Sequence, residues 1–376
     1  MRGRILCNGN VRTETDLIRM AAPWLLSSSH QDPAVAASQK VLLITTAWAE
    51  HEYEEAHLKA ALAAVGLPAG WDTLQNLGAW HAYREFSREA RELAEPWEAR
   101  EHLMDTTRSL YLEKNAFFTA RLRQTLGKTG AERRLADIMA DPTPRVSHLP
   151  ARFDGAQLLS QFLEADIKDT VSQLIDNDDR MVELLRDLED HFAAATGLFY
   201  HPGWQRLRRQ MEERILSANA IMLFGGTLGV LHRCLGFFRL GEVLHEALRR
   251  GTTFFSVSAG SLALCERIII YDDYGTEGEP RREFQLFDRG FGLVRHLQIF
   301  PHCMDRIQTD DTDNLSYLAW RFQNRTCVGL NEDSLLLIEA QPRLRCVSVG
   351  AGDGVYVFGL DGQKQRYDQG DEIPLA

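Results

Sequence analysis

The stretch TTFFSVSAGSLALCER (Thr252–Arg267) takes an apolar, β-prone run to a stop on a serine among small residues. A serine on a sharp strand-to-helix turn has its Oγ lifted clear of the sheet edge, with the first N–H groups of the next helix facing it. That placement suits a nucleophile. The tight turn demands small neighbours, and Ser256, Ala259 and Gly260 supply them around Ser258. The usual elbow reads G-x-S-x-G, and Ser256 stands here at the first glycine position. The same residues also fit a plain strand-to-helix turn, so the rest of the chain must decide.

A serine nucleophile needs an oxyanion site, a base and a group that orients the base. AIMLFGGTLGVL ends a strand-like run on Gly225 and Gly226, followed by Thr227. In a parallel sheet this strand end lies beside the Ser258 turn, and its N–H groups with that of Ala259 would form an oxyanion hole. The base is expected to be His302, in LQIFPHCMDR, where an apolar run meets a proline; His296 lies in a more polar stretch. IIIYDD offers Asp272 and Asp273 as the orienting carboxylate, with Glu277 and Glu279 as further choices. Strand-end histidines and aspartates also commonly cap or solubilise loops. HEYEEAH fails the zincin spacing because Glu55 stands where the second histidine is needed, so His51 and His57 are placed on a solvated helix face. DDTDN lacks the glycine and the distal glutamate of a calcium loop.

The elements that would hold these residues have two textures. KVLLITTAW (Lys40–Trp48) is a continuous apolar run of strand length, as in a parallel sheet buried on both faces, and EHEYEEAHLKAALAAVGL after it has helical spacing. From about Trp71 to Leu216 the chain is rich in helix formers. Phe162, Leu163, Ile167, Val171, Leu174, Met181, Leu184, Leu185, Leu188 and Phe192 recur at a helical period. DPTPRVSHLPARFDG (Asp141–Gly155) is the expected internal loop. Strand–helix–strand alternation then returns through AIMLFGG, a helical segment closed by Gly251, and TTFFSV. DSLLLIEA, RCVSVG and GVYVFGLDGQ read as antiparallel strands at one edge. The fold class expected is α/β, a mostly parallel sheet flanked by helices. Residues 1–69 and 217–376 form the α/β core and 70–216 a helical insertion, either a cap over the site or a subunit interface.

Composition fits a globular protein: of 376 residues, 44% are hydrophobic and 25% charged. The net charge of −11 argues against general nucleic-acid binding, which needs a basic footprint. Cys7, Cys234, Cys265, Cys303, Cys327 and Cys346 are scattered with no C-x-x-C, so neither a zinc ribbon nor a disulfide framework is expected. The N-terminal MRGRILCNGN has no apolar run of signal-peptide length, and no stretch is long enough for a membrane span, so a cytoplasmic protein without membrane contact is expected. Cys265 is expected to pack within the helix after Ser258, and Cys303 to face away from its neighbour His302.

SVSAGSLALCERIIIYDD resembles the nucleophile segment of the peptidase E and cyanophycinase family of serine peptidases. FPHC is similar to the family's histidine motif, KVLLITTA and the helix after it to its opening strand and helix, AIMLFGGTLGVL to its glycine loop, and VGLNEDSLLLIE to its closing strand pair. The resemblance covers about Lys40–Leu67 and Ala218–Gly350. It implies a glutamine-amidotransferase-like fold, Ser258 as nucleophile, His302 as base and Asp273, fifteen residues after the serine, as the acid. It also implies a homodimer. The chain departs from the family at Leu228, where the glycine loop has asparagine, and in a longer path from Ser258 to His302. The arginine-rich segment after the histidine is reduced to Arg306 and Arg321, of which Arg306 is the candidate substrate contact.

The combined expectation is a serine hydrolase cleaving an amide bond of a small peptide or peptide-like metabolite through an acyl-enzyme, with no cofactor and no metal. Two rivals stand beside it: a catalytically inactive binding or regulatory protein on the same scaffold, and an acyltransferase using the same serine.

Overall fold

The computed structural model describes residues 2–10, 13–67, 70, 73–130, 133–141, 154–271, 284–340, 343–350 and 352–375. The chain opens with strand β1 (Arg4–Asn8), helix α1 (Glu14–Leu25) and helix α2 (Pro33–Ser38), the last started by Pro33 in its first turn and capped by the Asp32 carboxylate. β2 (Val41–Ile44), a 3-10 turn (Thr46–His51), α3 (Ala56–Ala64) and β3 (Leu74–Asn76) follow. The helical stretch comprises α4 (Ala79–Glu89), α5 (Arg91–Leu126), α6 (Leu135–Ala140), α7 (Gly155–Ala195) and α8 (Pro202–Leu216). The expected loop at 141–155 falls largely outside the described residues.

Alternation then resumes with β4 (Ala220–Leu223), α9 (Leu228–Phe237), α10 (Gly241–Arg250), β5 (Thr253–Val257) and α11 (Ala259–Leu264). The segment expected as one helix before Gly251 is two, broken where Arg239 adopts φ 49°. Gly251 closes α10 at φ 110°, in the left-handed conformation a glycine adopts without strain. β6 (Arg267–Tyr271), β7 (Phe284–Arg289), β8 (Leu297–Pro301), α12 (Cys303–Arg306), α13 (Thr312–Arg321) and β9 (Thr326–Leu330) lead to the last strands. These are β10 (Leu335–Glu339), β11 (Arg345–Ser348), β12 (Val355–Phe358), β13 (Lys364–Tyr367) and β14 (Glu372–Ile373).

The main sheet has the order β14-β11-β10-β1-β5-β4-β2-β3, parallel from β1 to β3 and antiparallel from β10 outward. It is a parallel-rich α/β sheet with antiparallel strands from the C-terminal part. Adjacent residues on one strand face opposite layers. Ile5, Leu42, Ile221 and Phe254 pack toward α8, α9 and α10. Leu6, Leu43, Met222 and Phe255 pack toward α1 and α3. Strands covered on both faces need the continuous apolar runs this sequence carries.

Two differences from the sequence expectation concern the strands. The sequence reading gave no strand to the first residues, yet RILCN is a central strand, in register with both β5 and β10. The run GVYVFG does not extend the edge of the main sheet. It is β12 of a separate sheet ordered β13-β12-β9-β8, in which β8 and β9 run parallel. The resemblance to a closing strand pair therefore divides between two sheets, with β9 in one and β10 in the other.

α5 and α7 pair along their length, and their polar groups grip the core. The Tyr111 hydroxyl accepts from the Leu286 N–H at 3.1 Å, and the Arg108 guanidinium donates to the Phe287 carbonyl at 2.9 Å and the Asp288 carboxylate at 2.6 Å. Arg321, one of two arginines the resemblance leaves after His302, is not at a substrate surface. It is buried and paired bidentately with Asp178 of α7, both N···O distances 2.6 Å, and donates to Tyr111 and Tyr317. A buried carboxylate and guanidinium that satisfy each other and two phenols lock the hairpin to α13. Among the described residues no helix is long and apolar enough to cross a membrane.

Candidate active site

β5 ends at Val257, and the next residue turns sharply. Ser258 has φ 51° and ψ −116°, a conformation that non-glycine residues rarely hold. The surroundings enforce it. Its N–H donates to the Asn8 carbonyl at 3.1 Å, which ties the turn to the end of β1. The Ser261 hydroxyl donates to that same carbonyl at 3.0 Å and also contacts the Ser256 hydroxyl at 3.0 Å. Ser256, at the elbow position that is usually glycine, is thus a buried polar brace. A Cβ on Gly260 would meet the Leu223 carbonyl oxygen at 2.4 Å, so glycine is required where α11 crosses the end of β4.

The histidine arrives from the other sheet. β8 ends at Pro301, and His302 takes φ 53° and ψ 35° as the residue before α12. Ser258 Oγ and His302 Nε2 lie 2.8 Å apart, at hydrogen-bond distance. Both side chains are half-buried. The α12 turn is anchored by Asn331, whose side-chain oxygen accepts from the Met304 N–H at 2.9 Å and from the Cys303 thiol at 3.0 Å.

β4 and β5 are neighbours, so the glycine loop stands beside the serine turn. A Cβ on Gly225 would meet the Ser258 Cβ at 3.0 Å, and one on Gly226 would meet the Ala47 carbonyl oxygen at 2.9 Å. The Thr227 N–H is engaged by the Ala47 carbonyl at 3.0 Å. The Gly226 N–H makes no backbone hydrogen bond among the described residues. Ala259 opens α11, where an N–H has no intrahelical acceptor. Trp48 was not among the expected site residues. Its indole donates to the Gly225 carbonyl at 3.1 Å and fixes the loop from the β2 side. An aromatic residue just past a buried strand was the available signal.

Arg306 ends α12, one turn after His302. Asp272, Asp273 and Glu277, with Glu279, lie outside the described residues. Cys265 does not sit within a long helix, because α11 stops at Leu264. It is buried at that helix end, and burial pushes its thiol up to about 12. Cys303 is likewise buried, and its thiol is pushed up to about 12 by the same cause. His51 pairs with Glu54 at the surface, and His57 stacks on Trp48 with ring centroids 5.9 Å apart.

Residues 199–343 match the model of peptidase family S51, a span that includes Gly225, Gly226, Ser258 and His302. No curated protein matches the chain. A similar solved structure is that of a peptidase from an acI-B1 Actinobacterium, at 12% identity, with 99% of this chain and 97% of that chain covered and a TM-score of 0.45. The helices from α4 to α7 precede the matched span, so the similarity to peptidase family S51 rests on the part of the chain that carries Ser258 and His302.

Proposed function

We propose that the protein hydrolyses an amide bond of a small peptide or peptide-like molecule through a covalent acyl-enzyme. The observation that carries this reading is the 2.8 Å approach of Ser258 Oγ to His302 Nε2 across two sheets, at a serine held in an elbow conformation. Ser258 Oγ attacks the carbonyl carbon while His302 Nε2 takes its proton. The tetrahedral oxyanion is held by the N–H groups of Gly226 and Ala259. The imidazolium returns the proton to the leaving amine, and the C–N bond breaks. Water then attacks the ester by the same route in reverse, releasing the acid and restoring the serine hydroxyl. Asp273 is the carboxylate proposed to fix the imidazole tautomer. Arg306, on the turn after His302, is proposed to meet the substrate.

Intact-mass measurement after treatment with a fluorophosphonate tests the reading. One adduct on the native protein, absent in Ser258→Ala and strongly slowed in His302→Ala, is the expected result. A folded native protein with no adduct, that also cleaves no member of a dipeptide set, would overturn it.

A further inference from the structure

A cavity of about 510 Å³ runs along α9 where that helix faces α5, α10 and β7. This volume is in the range of pockets that hold small organic molecules. Neither Ser258 nor His302 lines it.

Gly236 keeps the cavity open. Glycine is a costly choice in a helix, and packing does not call for it here. A Cβ placed on Gly236 meets no atom within 4 Å. The space that its side chain would fill belongs to the cavity.

Most charges on the wall are already matched. Arg108 holds Asp105 and Asp288, Arg289 holds Glu189, and Glu101 is shared by Arg100 and Arg233. His232 and His245 each bond a backbone carbonyl, those of Arg289 and Phe291. Two groups are left over, Arg239 and Glu242. Among the described residues neither makes an ion pair or a side-chain hydrogen bond, with each other or with a third group. Arg239 has the left-handed backbone at φ 49°, and its guanidinium lies over the Phe199 ring at 5.2 Å. A non-glycine residue held in that region marks a place where the fold tolerates strain.

We propose that this cavity binds a zwitterionic small molecule, a free amino acid or a short peptide with both termini free. The carboxylate is received by Arg239 and the ammonium by Glu242. Guanidinium–carboxylate pairing supplies the stronger and more directional of the two contacts. The site stands apart from Ser258 and is independent of the serine chemistry.

Calorimetric titration of the Ser258→Ala protein with L-alanyl-L-alanine tests this without turnover. Saturable binding is expected, weakened about tenfold or more by Arg239→Ala and by Glu242→Gln. Capping the dipeptide by N-acetylation or C-terminal amidation should weaken it by a similar factor. Gly236→Leu, which fills the space, should abolish it while leaving the circular dichroism spectrum and melting temperature intact. If that variant does not fold, Arg239→Ala carries the test alone. Absence of saturable binding would overturn the proposal. So would binding indifferent to Gly236→Leu and Arg239→Ala, which would place the dipeptide elsewhere, or equal binding of inorganic phosphate. None of these outcomes bears on fluorophosphonate labelling of Ser258 in the native protein, so the two readings fail separately.

Discussion

Gly225 lies against Ser258 so closely that a methyl group on the glycine would stand 3.0 Å from the serine Cβ and 2.9 Å from the Val257 carbonyl oxygen. The glycine loop and the serine turn are thus one packed unit, and the loop cannot gain a side chain without moving the elbow. Gly225→Ala is expected to slow fluorophosphonate labelling about a hundredfold, on the scale of losing one oxyanion donor. Gly236→Ala, where an added Cβ meets nothing within 4 Å, should leave the labelling rate unchanged. Equal rates for native protein and Gly225→Ala would contradict the proposed role of the loop.

Asn331 is expected to position His302 without touching substrate. Its side-chain oxygen receives the Met304 N–H and the Cys303 thiol at the first turn after the histidine. Asn331→Ala leaves both donors unmatched and loosens that turn. The labelling rate should fall about ten- to a hundredfold with little change in its dependence on probe concentration. Asn331→Asp keeps the acceptor but sets a second carboxylate against Asp353, which accepts from the Asn331 amide at 3.2 Å, so it should recover the rate only in part.

The Arg321–Asp178 pair is fully buried, so removing one partner strands the other charge. Asp178→Ala is expected to cost about 3–5 kcal/mol of stability. Replacing both, as Arg321→Met with Asp178→Leu, should cost much less, because no uncompensated charge remains. Denaturant midpoints of the two variants check this. A larger loss in the double variant than in the single would contradict it.

Burial raises the thiols of Cys7, Cys265, Cys303, Cys327 and Cys346 from 9.0 to about 12. A thiol disulfide reagent near neutral pH should therefore leave the native protein unmodified, and a thiol-alkylating agent should not inhibit the serine chemistry. The same shifts set a pH dependence. Above 9.0 the unfolded chain loses these protons while the native state keeps them until about 12. The native state then binds more protons, so stability falls as pH rises, by about 1.4 kcal/mol per unit per thiol. Below the unfolded value these groups add no slope. Tyr111 and Tyr317, also raised by burial, act in the same direction at higher pH. Denaturant midpoints from about pH 8 to about pH 10 check the sign.

The parts of the site carried by local pattern were legible in the sequence. The runs ending at Ile44, Leu223 and Val257 are continuous and apolar because both faces are covered, and the last two lead into the Gly225–Gly226 loop and the Ser258 turn. What the pattern lacked is partner choice. RILCN is short and begins with a charged residue, so its central position shows only through pairing with β5 and β10, both far away in the chain. β9 and β10 look alike as runs, and only the long-range ladder sends one to each sheet. The burial of Arg321 does not show in its neighbourhood, because its partner Asp178 lies far away in the chain, on a helix whose register against α13 no local spacing specifies.

The placement of β1 has a consequence for how this protein is made. Its five residues leave the ribosome well before those of its two neighbours, β5 and β10. Until synthesis passes Glu339, the strand has at least one bare edge in the middle of what will become the sheet. The Asn8 carbonyl that holds the Ser258 turn belongs to this strand. Assembly of the Ser258 turn therefore waits for segments far apart in the sequence to meet, a high-contact-order step that is slow and exposed to mispairing. Before that step is complete the Ser258 turn lacks the carbonyl that holds it.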